Sequence, residues 1–201
     1  DIDSLTELAA RHHLQLFFDA APAYGASYRG THIGNFGRAE VLSFHATKVV
    51  NSGEGGAILT NDDEIAATAR LMRTFGFADT DLVTSIGTNA KMSELAAGMG
   101  ICSLASYDEY LAVNTRNFDR YRSALAGVPG ISVLPCTPGT AINFNNVVIE
   151  VDPNRAGIER DIVLQVLTQV LDDYVLTPAI QGKSTGMDTP TILFASIAGG
   201  V

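Results

Sequence analysis

Residues 43–57 read SFHATKVVNSGEGGA: a serine closing an apolar run, a lysine five positions on at Lys48, then a glycine-rich turn. The run before it, AEVLSF at 39–44, reads as a strand, and AILT at 57–60 as the next, with Gly53, Gly55 and Gly56 turning the chain between them. Upstream, LQLFF at 14–18 reads as a buried strand, which leaves Asp19 at its C-terminal end. Open α/β sheets gather ligands at that edge. The stretch therefore raises one question: whether Lys48 is a solvated loop lysine or a nucleophile set opposite a carboxylate.

Outward from this centre, residues 1–13 (DIDSLTELAARHH) read as a short amphipathic helix with Asp3 or Ser4 as its N-cap. The small, polar run at 20–37 suits an ordered loop or short hairpin. Asn61 is placed to cap a helix over 62–74, whose first turn carries Asp62, Asp63 and Glu64 where the helix dipole favours acids. A polar connector over 76–89 leads to a helical region over 92–126, broken near Ser103. Strands at 131–134 and 144–151 and a helix at 158–171 follow, and the Thr-, Pro- and Gly-rich end from 176 shows no periodicity. The fold class expected is α/β with a mixed, mostly parallel sheet, and a long helix leading to a smaller α+β unit.

The chain has 201 residues, 46% of them hydrophobic, with a formal net charge of −9 and a pI near 4.7. That balance argues against nucleic acid as partner, because phosphate-backbone binding needs clustered Lys and Arg. Cys102 and Cys136 stand far apart, with no CxxC and no Cys/His cluster, so buried, reduced thiols are expected and neither a zinc site nor a disulfide framework. His12 and His13 are adjacent and cannot share one helix face as metal ligands. No apolar run reaches the roughly 18–20 residues a membrane span needs, and no leader opens the chain, so a soluble, cytoplasmic protein without a membrane partner is expected.

A lysine amine condenses with an aldehyde cofactor, and pyridoxal phosphate commonly pairs such a lysine with a carboxylate that keeps its ring nitrogen protonated. Asp19 and Lys48, 29 positions apart, offer that pair. The blocks FDAAPAYGASYRG, GNFGRAEVLSFHATKVVNSGEGGAILTNDDE, RTFGF and GTNAKMSELAAGMG together resemble, in order and spacing, the DegT/StrS family of pyridoxal-phosphate-dependent nucleotide-sugar aminotransferases. The resemblance implies a partial fold type I aminotransferase architecture. It also implies that Lys48 carries the cofactor covalently and then shuttles a proton, that Asp19 binds the pyridinium nitrogen and that Ser43 donates to the phosphate. Asn89 would reach the phosphate of a neighbouring subunit, which makes the active site a property of a homodimer. The reaction implied is transfer of an amino group from an amino acid, glutamate, to a keto group of a nucleotide-linked deoxysugar.

On the same resemblance, residues 1–90 are the C-terminal part of the large cofactor-binding domain, 91–126 a helical connector and 127–201 a small α+β domain with a divergent tail. Pro22 departs from the family pattern, which usually has His or Gln three residues after the aspartate. His45 reads either as a residue that orients the lysine loop or touches substrate, or as a satisfied structural histidine. Met92, Leu95 and Met99 form an apolar stripe expected to pack in the dimer. The alternative function is a non-catalytic relic or interaction module that keeps the fold without turnover.

Overall fold

Asp1 opens the first helix, α1 (Ile2–Arg11), by accepting the Ser4 N–H at 3.2 Å. The cap thus falls ahead of the expected Asp3 or Ser4, because helical geometry already begins at Ile2 and the first free N–H groups point back at Asp1. The computed structural model describes residues 1–172, 180–182 and 191–196, with side chains through residue 166. It divides into two units, Asp1–Ala105 with Gly139–Ile142, and Ser106–Pro138 with Asn143–Val201.

In the first unit, β1 (Phe17–Asp19) is followed by a hairpin of β2 (Ser27–Tyr28) and β3 (Thr31–His32), within the stretch read as a loop or hairpin. Next come β4 (Ala39–Ser43) and β5 (Gly56–Leu59). β4 is central: it pairs in parallel with β1 and antiparallel with β5. Asp62 caps α2 (Asp63–Arg73) by accepting the Glu64 and Ile65 N–H groups at 3.0 and 3.1 Å. Asn61, expected in that role, donates instead to the Asn35 Oδ1 at 3.2 Å.

The polar connector holds a small hairpin of β6 (Phe77–Asp79) and β7 (Leu82–Val83) before α3 (Glu94–Ala105). The break to the next helix comes at Ser106, a little beyond Ser103. Ala9, Ala20, Ala39, Leu42, Val49 and Val50 form the buried apolar set of this unit. α3 is apolar on every side, a pattern ordinarily found in buried helices, yet Leu95 and Ile101 stand 78% and 67% exposed. Cys102 on the same helix is also exposed rather than buried, and Cys136 is half-buried; both are free thiols.

The second unit begins with α4 (Tyr107–Leu125) and continues through β8 (Ile131–Val133). β9 (Thr140–Ala141) returns to the first unit and pairs with β2. Then follow β10 (Asn146–Val151), α5 (Pro153–Ala156), α6 (Arg160–Asp172), β11 (Ile180–Gly182) and β12 (Thr191–Ser196). β10 alternates half-buried and buried positions, the period of a strand with one face on a core. Val147, Ile149 and Val151 pack with Phe118, whose ring lies 4.8 Å from that of Phe144. β12, in the segment without legible periodicity, pairs with β10 over its whole length.

Candidate active site

The site is built on one edge of the three-stranded sheet. Asp19 ends β1 in register with Val41, and Ser43 ends β4 two residues further along the same face. Side chains two apart on a strand point the same way, so the carboxylate and the hydroxyl share a face at the C-terminal end of two parallel strands. Asp19 is exposed, and its Oδ1 accepts the Ala21 N–H at 3.1 Å. The Ser43 Oγ accepts the His45 N–H at 3.2 Å.

Lys48 lies on the connector between β4 and β5, and the sequence explains why that connector is ordered. Its neck is closed by Phe44 N–H donating to the Gly55 carbonyl at 2.8 Å and Ser52 N–H donating to the Phe44 carbonyl at 2.9 Å. Glycine is needed at Gly53, where φ is +76°, and at Gly56, where a Cβ would meet the Leu42 carbonyl oxygen at 2.7 Å. Within the loop, Lys48 N–H donates to the His45 carbonyl at 2.9 Å, making one tight turn. Val49 and Val50 behind it are 8% and 1% exposed, so apolar burial fixes the backbone that carries the lysine. The half-buried Lys48 side chain makes no ion pair among the described residues.

His45 is exposed and its ring contacts lie within the loop and across its neck. Its Nδ1 lies 3.2 Å from the Thr47 backbone N and 3.0 Å from the Thr47 Oγ1, and Nε2 stands 3.6 Å from the Glu54 Oε1 across the neck. Asn89 is exposed and forms an antiparallel bridge with Thr74 after α2. No hydrogen bond or ion pair among the described residues joins it to Asp19, Ser43 or Lys48. Pro22 is exposed, in the turn where Ala23 N–H donates to the Ala20 carbonyl at 2.8 Å.

Two polar residues escaped the sequence reading. Glu40, on β4, the central strand between β1 and β5, is 1% exposed, and its Oε1 accepts the Gly34 and Phe36 N–H groups at 2.8 and 2.6 Å. Ser103 on α3 is 7% exposed and accepts the Asn51 N–H at 3.1 Å. A glutamate inside an apolar strand was a local signal for the first; the second had none, since its partner lies 52 positions away. At the opposite edge, Arg38 donates to Asp62, and that hydrogen bond, helped by the Ile65 N–H, holds the Asp62 carboxyl below its ordinary range. The groove beside α4, lined by Thr115, Arg116, Asp119 and Arg120, contains none of the site residues. Among the described residues no three His, Cys, Asp or Glu side chains group as a metal would require, and no helix is long and apolar enough to cross a membrane.

Known proteins similar in sequence and in fold extend this picture. GDP-perosamine synthase of Caulobacter vibrioides is 39% identical over 128 residues, which is 63% of this chain and 34% of the relative. The dTDP-3-amino-3,4,6-trideoxy-alpha-D-glucose transaminase of Streptomyces venezuelae is 37% identical over 141 residues, 70% of this chain and 37% of that one. The crystal structure of DesI in the presence of its TDP-sugar product superposes with a TM-score of 0.82 at 38% identity, over 97% of this chain and 53% of that one. The chain thus spans between a third and a half of the length of these curated relatives and about half of the solved one, and its architecture is a partial fold type I aminotransferase with mixed sheets and flanking helices. The sequence profile of the DegT/DnrJ/EryC1/StrS aminotransferases matches residues 1–178, and the chain belongs to that family.

Proposed function

We propose that this chain carries the lysine-bearing part of a pyridoxal-phosphate-dependent aminotransferase. It would move an amino group from an amino acid, glutamate, to a keto group of a nucleotide-linked deoxysugar. Pyridoxal phosphate is the cofactor this family implies, and the donor set suits it: an amine, a carboxylate and a hydroxyl at one sheet edge. When bound, it supplies an electron sink for charge left at the substrate carbon. The carrying observation is that Lys48, with no ion pair among the described residues, sits on a closed, buried-backed connector beside Ser43, at the edge that also bears Asp19.

In this reading Lys48 Nζ holds the cofactor and later carries a proton to and from the substrate carbon. Asp19 keeps a proton on the ring nitrogen by charge, and Ser43 donates its hydroxyl to the phosphate. Asn89 donates to the phosphate of a second copy, so the assembly is a homodimer. The exposed apolar side chains of α3, Leu95 and Met99 among them, support α3 as the contact surface. Residues 1–90 then act as the C-terminal part of the cofactor-binding domain and 127–201 as the small domain.

The test is incubation with pyridoxal phosphate, borohydride reduction and peptide mapping. A visible absorbance band and a reduced adduct on Lys48, both lost in Lys48→Ala, are expected. Label spread over Lys91 and other amines with none specific to Lys48 would overturn the reading and leave the non-catalytic alternative.

A further inference from the structure

Lys48 is held from behind by a short relay of hydrogen bonds that starts on α3. The Ser103 Oγ accepts the Asn51 N–H at 3.1 Å, and the Asn51 Nδ2 donates to the Lys48 carbonyl at 3.4 Å. Around this relay the helix and the connector run antiparallel in close contact. Met99 lies beside Gly53, a Cβ on Gly100 would reach the Ser52 Cβ at 3.5 Å, and Ser103 meets Asn51. Val50 and Ser52 are 1% and 2% exposed, so the Asn51 N–H sits between two residues shut off from water.

We propose that Ser103 is a positioning residue for Lys48: its hydroxyl fixes Asn51, and through Asn51 the backbone from which the reactive amine projects. The inference rests on the reading of Lys48 given above. A buried N–H without an acceptor is unfavourable enough that the connector would move to satisfy it. The lysine has a long, flexible stem, so its amine can be aimed reproducibly only if the Cα it hangs from is fixed. A displacement of about 1 Å at a reacting group lowers rates by up to about 10²-fold. α3 offers mainly apolar side chains along this contact, so the hydroxyl at Ser103 is the acceptor within reach of the loop.

The experiment compares the wild-type chain with Ser103→Thr and Ser103→Val, which match in shape and differ in the hydroxyl. The first readout is the rate of borohydride-trapped pyridoxal phosphate labelling at Lys48. The second needs no cofactor: acetic anhydride labelling of Lys48 relative to Lys91 in the same sample, read by peptide mass. Ser103→Val is expected to slow trapping at Lys48 about tenfold and to change the Lys48-to-Lys91 ratio, with Ser103→Thr within about twofold of wild type. Equal behaviour of the two variants, or no change in either, overturns the proposal. If wild-type Lys48 is not trapped at all, the cofactor reading fails, and the anhydride ratio still decides the positioning role. If Ser103→Val does not fold, Asn51→Ala serves, since it keeps the Asn51 N–H on Ser103 and removes the bond to Lys48. The same slowing is expected there, and an unchanged rate and ratio overturn the proposal.

Discussion

Glu40 provides the sharpest test of how the sheet beneath the site is held. Its carboxylate is 1% exposed; one oxygen accepts two backbone N–H groups from the loop before β4, and the other, Oε2, has no hydrogen-bond partner among the described residues. Glu40→Met keeps the length and the apolar stem but removes the acceptor, leaving the Gly34 and Phe36 N–H groups unpaired. Each hydrogen bond to a charged group is worth roughly 1.5–3 kcal/mol, and the loop can recover part by turning one N–H outward, so a loss of about 3–4 kcal/mol is expected. Glu40→Gln retains an oxygen at the shared position and removes a buried charge that gains nothing from Oε2. It should stay within about 1 kcal/mol of wild type. Urea unfolding followed by far-ultraviolet circular dichroism gives the global difference, and hydrogen exchange at Gly34 and Phe36 gives the local one. A Met variant within about 1 kcal/mol of wild type, or a Gln variant as damaged as the Met one, would refute the assignment of Oε1 as the acceptor that matters.

The Arg38–Asp62 pair makes stability depend on acid. The Asp62 carboxyl is held below its ordinary range in the folded chain, so its contribution is present above the ordinary carboxylate pKa and lost as pH falls through the depressed value. Thermal midpoints measured from neutral pH downward should show a decline that Arg38→Met flattens, and parallel curves would count against it. For the dimer, sedimentation at micromolar concentration should give a two-copy species that Leu95→Glu converts to one copy. A wild-type monomer would remove the basis for Asn89 acting across an interface.

Much of the first unit was legible because its signals are local. Apolar runs gave β4 and β5 and acids in the first turn gave α2, but LQLFF, read as a buried strand over 14–18, forms a strand only from Phe17 to Asp19, with Leu14 and Phe17 61% and 55% exposed; Asp19 still ends it. Helix caps were displaced by one to three residues, since several capping residues crowd at 1–4 and 61–63 and only geometry selects the one whose oxygen meets the free N–H groups. β12 was not legible: TILFAS has no alternating polar positions, and what makes it a strand is pairing with β10 forty residues or more away in sequence. Cys102 was expected inside because cysteine ordinarily is, yet it is exposed on α3.

The same distinction explains what the motif around Lys48 does and does not contain. The 29-residue spacing from Asp19 and the glycines after the lysine are local, and they specify two strand ends and a turn. They do not specify where the amine points, because a connector from Phe44 to Gly55 could close its neck in several ways. Its direction is fixed by Val49 and Val50 going inward and by α3 arriving from outside the motif. Along that helix the two small residues are not equivalent. A Cβ added at Gly100 would stand at 3.5 Å from Ser52, an ordinary contact that a methyl group can make without moving the loop. Ser103 supplies an acceptor that no apolar side chain of similar size can replace. Shape therefore permits the approach of α3 to the lysine loop, and one hydroxyl selects its register, which is why a search for reactive residues near the lysine in sequence passes over the group that aims it.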